Sequence, residues 1–101
     1  MSRIKSYQAI DAPSADGTSL KGYIRAYYTD LVNVLGEPVY TGADPEDKVK
    51  VEWICSFRGD VFTVYDWKTS DLDYTMNKLK RFNVGSKVSA YDFIEELESS
   101  I

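Results

Sequence analysis

The 101-residue chain contains no histidine and a single cysteine, Cys55, an inventory that removes most side-chain chemistry at the outset. Without an imidazole there is no Ser-His or Cys-His nucleophile pair, no histidine general base and no histidine metal ligand. One thiol cannot build a cysteine zinc site. Carboxylates remain. Asp44, Glu46 and Asp47 form one cluster and Asp71 with Asp73 another, and oxygen ligands of this kind suit magnesium or calcium. Neither set has the spacing of an EF-hand loop, so both read more simply as solvated loops. The six glycines are scattered and spell no Walker or dinucleotide fingerprint. No catalytic residue, cofactor or metal site is therefore assigned, and the chain is not expected to be an enzyme; a small enzyme of unrecognised class is kept only as an alternative.

Binding chemistry has more to work with. Eight Tyr, four Phe and two Trp are more aromatic residues than a core of this size can bury, and exposed Tyr and Trp are enriched at protein interfaces. Tyr27, Tyr65 and Trp67 are the aromatic candidates for a partner surface, and Tyr23, like them, sits near a strand end or on a face open to exposure; the simpler account is that these aromatics finish the core or shield an edge strand. Twelve basic against sixteen acidic residues give a net charge of −4, which argues against broad phosphate-backbone binding. Asp92, Glu95, Glu96 and Glu98 crowd the C-terminal stretch, where an acidic helix face could mimic nucleic acid or meet a basic partner; a solvated face is the simpler account. Asp92, Glu95 and Glu96 join the partner-binding candidates. The basic cluster Lys78, Lys80 and Arg81, beside aromatics on a sheet, is the alternative: a weak single-stranded nucleic-acid surface.

These residues must be carried by elements that the hydrophobic pattern predicts. In 48–68, Val49, Val51, Trp53, Cys55 and Phe57 alternate with Lys48, Lys50, Glu52 and Ser56, so one strand face is apolar, with Ile54 breaking the alternation. Arg58-Gly59-Asp60 supplies a turn and Val61 to Trp67 returns as a second strand. The Arg-Gly-Asp tripeptide is explained by turn geometry. Cys55 then lies on the apolar face, as a small hydrophobe.

Leu20 to Ala26 reads as a strand, followed by a helix placing Tyr28, Leu31, Val32 and Leu35 at helical spacing and stopped by Gly36 and Pro38. Ser6 to Ile10 is a candidate short strand, 11–19 a loop, 40–47 a polar loop, and 69–73 a polar connection; 74–77 is a turn or the start of a strand. Leu79 to Val84 forms a further strand. A last helix spans about Val88 to Glu98, with Ala90, Phe93, Ile94 and Leu97 as its apolar stripe and Ser86 or Ser89 as cap. The expected fold is α+β: one small domain over 1–101, its first 19 residues partly flexible, with a mostly antiparallel sheet of three to five strands and two helices on one face. No apolar run approaches the roughly 20 residues of a membrane span and the start MSRIKSYQ lacks an apolar signal stretch, so a cytoplasmic protein without a membrane partner is expected. An uncovered edge strand leaves a homodimer open.

The runs GYIRAYYTDLVNVLGEP, KVKVEWICSFRGDVFTVYDWK and RFNVGS followed by an amphipathic helix resemble a group of small, largely uncharacterised accessory proteins of tailed bacteriophages and cyanophages. The resemblance extends in order over roughly residues 18 to 98. Its third strand often carries an aromatic-His-Ile-Gly-Gly pattern where this chain has Phe82-Asn83-Val84-Gly85-Ser86, so the His and the second Gly are missing. The resemblance implies a phage-type protein that binds a host protein stoichiometrically, as an inhibitor or modulator of a host factor such as a defence system, in the host cell cytoplasm.

Overall fold

The computed structural model describes residues 3–8, 10–41, 51–66 and 79–101, of which Tyr40 and Thr41 are described in their backbone only. Within them the chain runs β1 (Lys5–Ser6), β2 (Ser19–Ala26), α1 (Tyr28–Leu35), β3 (Tyr40–Thr41), β4 (Val51–Phe57), β5 (Asp60–Tyr65), β6 (Lys80–Ser86) and α2 (Tyr91–Ser100). All pairings are antiparallel. The sheet order is β1-β4-β5-β6-β2, and β3 joins the same outer edge of β4 that β1 uses. The α+β class and the two helices on one face agree with the sequence pattern.

The hairpin forms where the alternation predicts it. Phe57 pairs with Asp60, so Arg58 and Gly59 are the two central turn residues, both at positive φ, 55° and 86°. That is the geometry of a type I′ turn, whose twist matches the flanking strands. Gly59 adopts it freely, while Arg58 is held there by an ion pair with Asp92 at 2.9 Å and by packing over the Phe57 ring.

Opposed residues of an antiparallel pair share a face, so the register assigns every side chain. One face presents Trp53, Cys55, Phe57, Phe62, Val64, Phe82, Val84 and Ile24, all buried. Both helices cover it. Trp53 donates its indole N–H to the Gly36 carbonyl at 2.8 Å, and Ser6 donates its hydroxyl to the Leu35 carbonyl, which fixes α1 over β4 and β1. The α1 helix ends as its punctuation predicts, with Gly36 at φ 80° donating its N–H to Val32 at 2.8 Å. From α2, Phe93 stacks on Phe62 with ring centroids 4.3 Å apart, and Ile94 closes over Gly22, where a Cβ would lie 2.7 Å from its Cδ1. Burial of each such aromatic stabilises the fold by roughly 1.5–3 kcal/mol.

Several boundaries differ from the pattern-based expectation. The first strand is Lys5–Ser6, not Ser6 to Ile10, because pairing with Cys55 and Ser56 selects it. Tyr40 and Thr41, expected in a loop, pair with Glu52 and Val51. The strand β5 stops at Tyr65, and β6 runs on through Ser86 opposite Ser19. Helix α2 begins at Tyr91 with Ala90 at its N-cap, so neither serine is the cap; Ser89 accepts from the Tyr91 N–H at 3.3 Å and Ser86 from Val88 at 3.1 Å. Residues 42–47, 69–73 and 74–77 lie outside the described residues. No helix among the described residues is long and apolar enough to cross a membrane.

Candidate functional site

The second face of the sheet carries neither α1 nor α2, and Arg25, Arg81, Tyr23 and Asn83 meet on it at the corner made by β2 and β6. Arg25 lies directly opposite Arg81, and Tyr23 directly opposite Asn83, which in turn faces Tyr65 on β5. The Arg81 guanidinium sits 4.4 Å from the Tyr23 ring centroid and donates from Nε to Asn83 Oδ1 at 3.2 Å. Tyr23 remains 49% exposed. Arg25 is exposed and has no ion-pair partner among the described residues. Two like charges side by side on neighbouring strands repel, so this corner holds a standing positive charge in a chain whose net charge is −4. Lys21 adds to it: Leu20 pairs with Gly85 and Gly22 with Val84, leaving Lys21 as the extra, exposed residue of a β-bulge.

Gly85 shapes the floor beside the corner. A Cβ there would stand 2.8 Å from Thr63 Oγ1 and 3.6 Å from Tyr65 Cε1, so only glycine lets β5 and β6 side chains meet over that position. Burial, then the charge of Glu52, holds the Tyr65 phenol above its ordinary range, and burial likewise raises the Glu52 carboxyl. Tyr65 is half-buried.

The residues expected to bind a partner do not form one surface. Tyr65 belongs to this second face, whereas Asp92, Glu95 and Glu96 stand on α2 over the opposite face. Tyr27 occupies the N-cap position of α1, exposed, its carbonyl accepting from Asp30 and Leu31. The acidic helix is partly engaged by the chain itself, since Asp92 takes Arg58 and Glu96 accepts the Arg3 N–H at 3.1 Å; Glu95 is exposed. Trp67 and Lys78 lie outside the described residues.

The alternative basic set is also divided. Lys80 and Arg81 are consecutive in one strand and therefore point to opposite faces. Lys80 opposes the buried Ala26 and packs inward, its Nζ 4.0 Å from the carboxylate of fully buried Asp66 and 5.6 Å from the Phe82 ring centroid. Asp66 also accepts the Val51 N–H at 3.0 Å. Lys80 is thus a core cation that ties β6 to the end of β5, and only Arg81 reaches the outer surface. Arg25, Asn83 and the bulged Lys21 were not singled out by local pattern. Their convergence depends on the β2–β6 register, although period-two alternation alone separates Lys80 from Arg81.

Elsewhere, a cavity of about 210 Å³ opens between the hairpin turn, Ser14, Thr18 and Lys87. Its hydroxyls serve local turns: Ser14 accepts from Asp16, Thr18 donates to Ala15, and Ser86 accepts from Val88. Cys55 is fully buried and its thiol is pushed up to about 12 by desolvation, which leaves it protonated and unreactive. Among the described residues no three carboxylate or thiol side chains come together as metal ligands, and the clusters at 44–47 and 71–73 lie outside them. Set against protein-family models, curated proteins and solved structures, the chain matches none.

Proposed function

We propose that the protein acts by stoichiometric, non-catalytic binding of another protein through the β2–β6 corner, as a phage-type accessory protein that occupies a host factor in the host cytoplasm. The observation that carries this reading is the cross-strand Arg25–Arg81 pair, exposed beside a half-exposed Tyr23. Two guanidiniums on a rigid sheet are set to take carboxylates in fork geometry, and the tyrosine supplies flat contact area at low entropic cost. The sequence resemblance to phage accessory proteins supports a host protein as the partner. The test is capture from host lysate with tagged wild-type protein and with the Arg25→Glu/Arg81→Glu double variant, each at low and high salt. A stoichiometric partner held by wild type, weakened by salt and lost from the variant is expected. A partner retained equally by the variant would move binding away from this corner.

The stack of Arg81 on Tyr23 favours one second reading, a single-stranded nucleic-acid platform. It predicts that a short oligothymidylate binds with a salt slope of only one or two phosphate contacts, from Arg25 and Arg81 without Lys80.

A further inference from the structure

The sheet treats its two edges differently. Along the outer edge of β4, the chain lays down β1 against Cys55 and Ser56 and β3 against Val51 and Glu52, and the Tyr7 and Val39 N–H groups bond the Ile54 and Glu52 carbonyls at 3.0 and 2.8 Å. Among the described residues, the outer edge of β2 receives nothing comparable. It is eight residues long, is bonded on one side to β6, and none of its residues has another backbone partner among the described residues. The bulge at Lys21 disrupts its first half, a usual defence of a bare edge, but Gly22 to Ala26 keeps an unbroken register.

We infer that Gly22 to Ala26 takes an added strand from a partner, an extended segment carrying acidic side chains; this rests on the proposed function and specifies its mode of contact. Strand addition supplies main-chain hydrogen bonds for affinity and leaves side chains to choose the occupant. Here the choice is electrostatic. The strand bears Lys21 and Arg25 and no acidic residue, with Arg81 beside it. A second copy of this chain pairing through the same edge would bring the Lys21 and Arg25 cations of both chains to one seam, so self-addition is disfavoured, whereas alternate Glu side chains on an incoming strand would fall beside Arg25, with Arg81 one strand further in.

The test uses the intact protein and a synthetic β-prone peptide with Glu at alternate positions, compared with the same peptide N-methylated at alternate backbone nitrogens. Methylation removes strand hydrogen bonds and leaves the charge. Amide spectra and hydrogen exchange are followed at millimolar peptide. The expected result is slowed exchange at the outward amides of Gly22 to Ala26 and binding at least about tenfold tighter for the unmethylated peptide. Equal binding of the two peptides would overturn strand addition while leaving the arginine corner as a charge-led surface. No binding of either peptide, protection by oligothymidylate in their place, or a dimer in sedimentation that shields these amides would each overturn the inference; the lysate comparison with the double arginine variant judges the proposed function separately.

Discussion

The two faces of one sheet differ in kind: one is packed under helices, and the other, at the β2–β6 corner, is exposed and charged. The helix-covered face is closed by Trp53, Phe57, Phe62, Phe82 and Phe93 in edge-on and stacked contacts between 4.3 and 6.3 Å, every ring buried. The second face, two residues wide at the β2–β6 corner, exposes a tyrosine and two arginines. Both are built from the same strands, and alternate residues of Ser19–Ala26 and Lys80–Ser86 serve each. Charge at the second-face corner stays in water, whereas Lys80 on the covered face stands 4.0 Å from the buried Asp66 carboxylate.

The sharpest way to break the contrast is to remove a ring from the covered face. Phe62→Ala should cost about 3–5 kcal/mol in urea unfolding, since its stacking partner Phe93 cannot follow it into the void. A cost under about 1 kcal/mol would mean that the face is not close-packed. Next is the buried ion pair. Asp66→Ala should cost about 3 kcal/mol or more by removing the carboxylate that faces Lys80 in the interior, and adding Lys80→Met should recover part of it, giving a non-additive double-mutant cycle. Simple additivity would show that the two charges do not sense each other.

Alkaline titration sharpens the same point. The buried Cys55 thiol titrates at about 12 against an ordinary 9.0, so above pH 9 the unfolded chain loses a proton that the folded chain keeps. Stability should therefore be complete below pH 9 and fall with rising pH toward 12, with a slope near ~1.4 kcal/mol per pH unit from this group. The raised phenols of Tyr28 and Tyr65 add to the fall with the same sign. Urea midpoints at stepped alkaline pH check this, and Cys55→Ala should flatten the slope.

On the second face, Gly85→Ala should cost about 1–2 kcal/mol, because its Cβ would press on Thr63. Tyr23→Ala should change stability by less than about 0.5 kcal/mol while weakening partner capture. A large loss of stability from Tyr23→Ala would erase the contrast between the two faces.

Much of the covered face is readable in sequence, because alternation in 51–57 and a three-four stripe in Tyr91–Ser100 are local consequences of burial. The second face is much less so. Ile54, the residue that breaks the alternation, lies there and is only 9% exposed, which period alone does not predict. The strand Tyr40–Thr41 exists through its partner, not through its own residues, and two residues carry no periodic signal. The corner itself joins positions more than fifty apart in the chain, Arg25 with Arg81 and Tyr23 with Asn83, through a register that a bulge shifts by one residue. Charge clustering along the sequence points instead to Lys80, which the pleat turns inward.

The order in which the strands leave the ribosome gives the sealed edge a further meaning. The two short strips that close β4, Lys5–Ser6 and Tyr40–Thr41, are both synthesised before it, so the most apolar strand of the sheet emerges into a chain already holding its cover. The strand Ser19–Ala26 has the opposite history: its neighbour in the sheet among the described residues, Lys80–Ser86, follows it by more than fifty residues. Until β6 follows, that pairing cannot form, and the lysine, the arginine and the bulge of Ser19–Ala26 are features that blunt a bare strand against other chains.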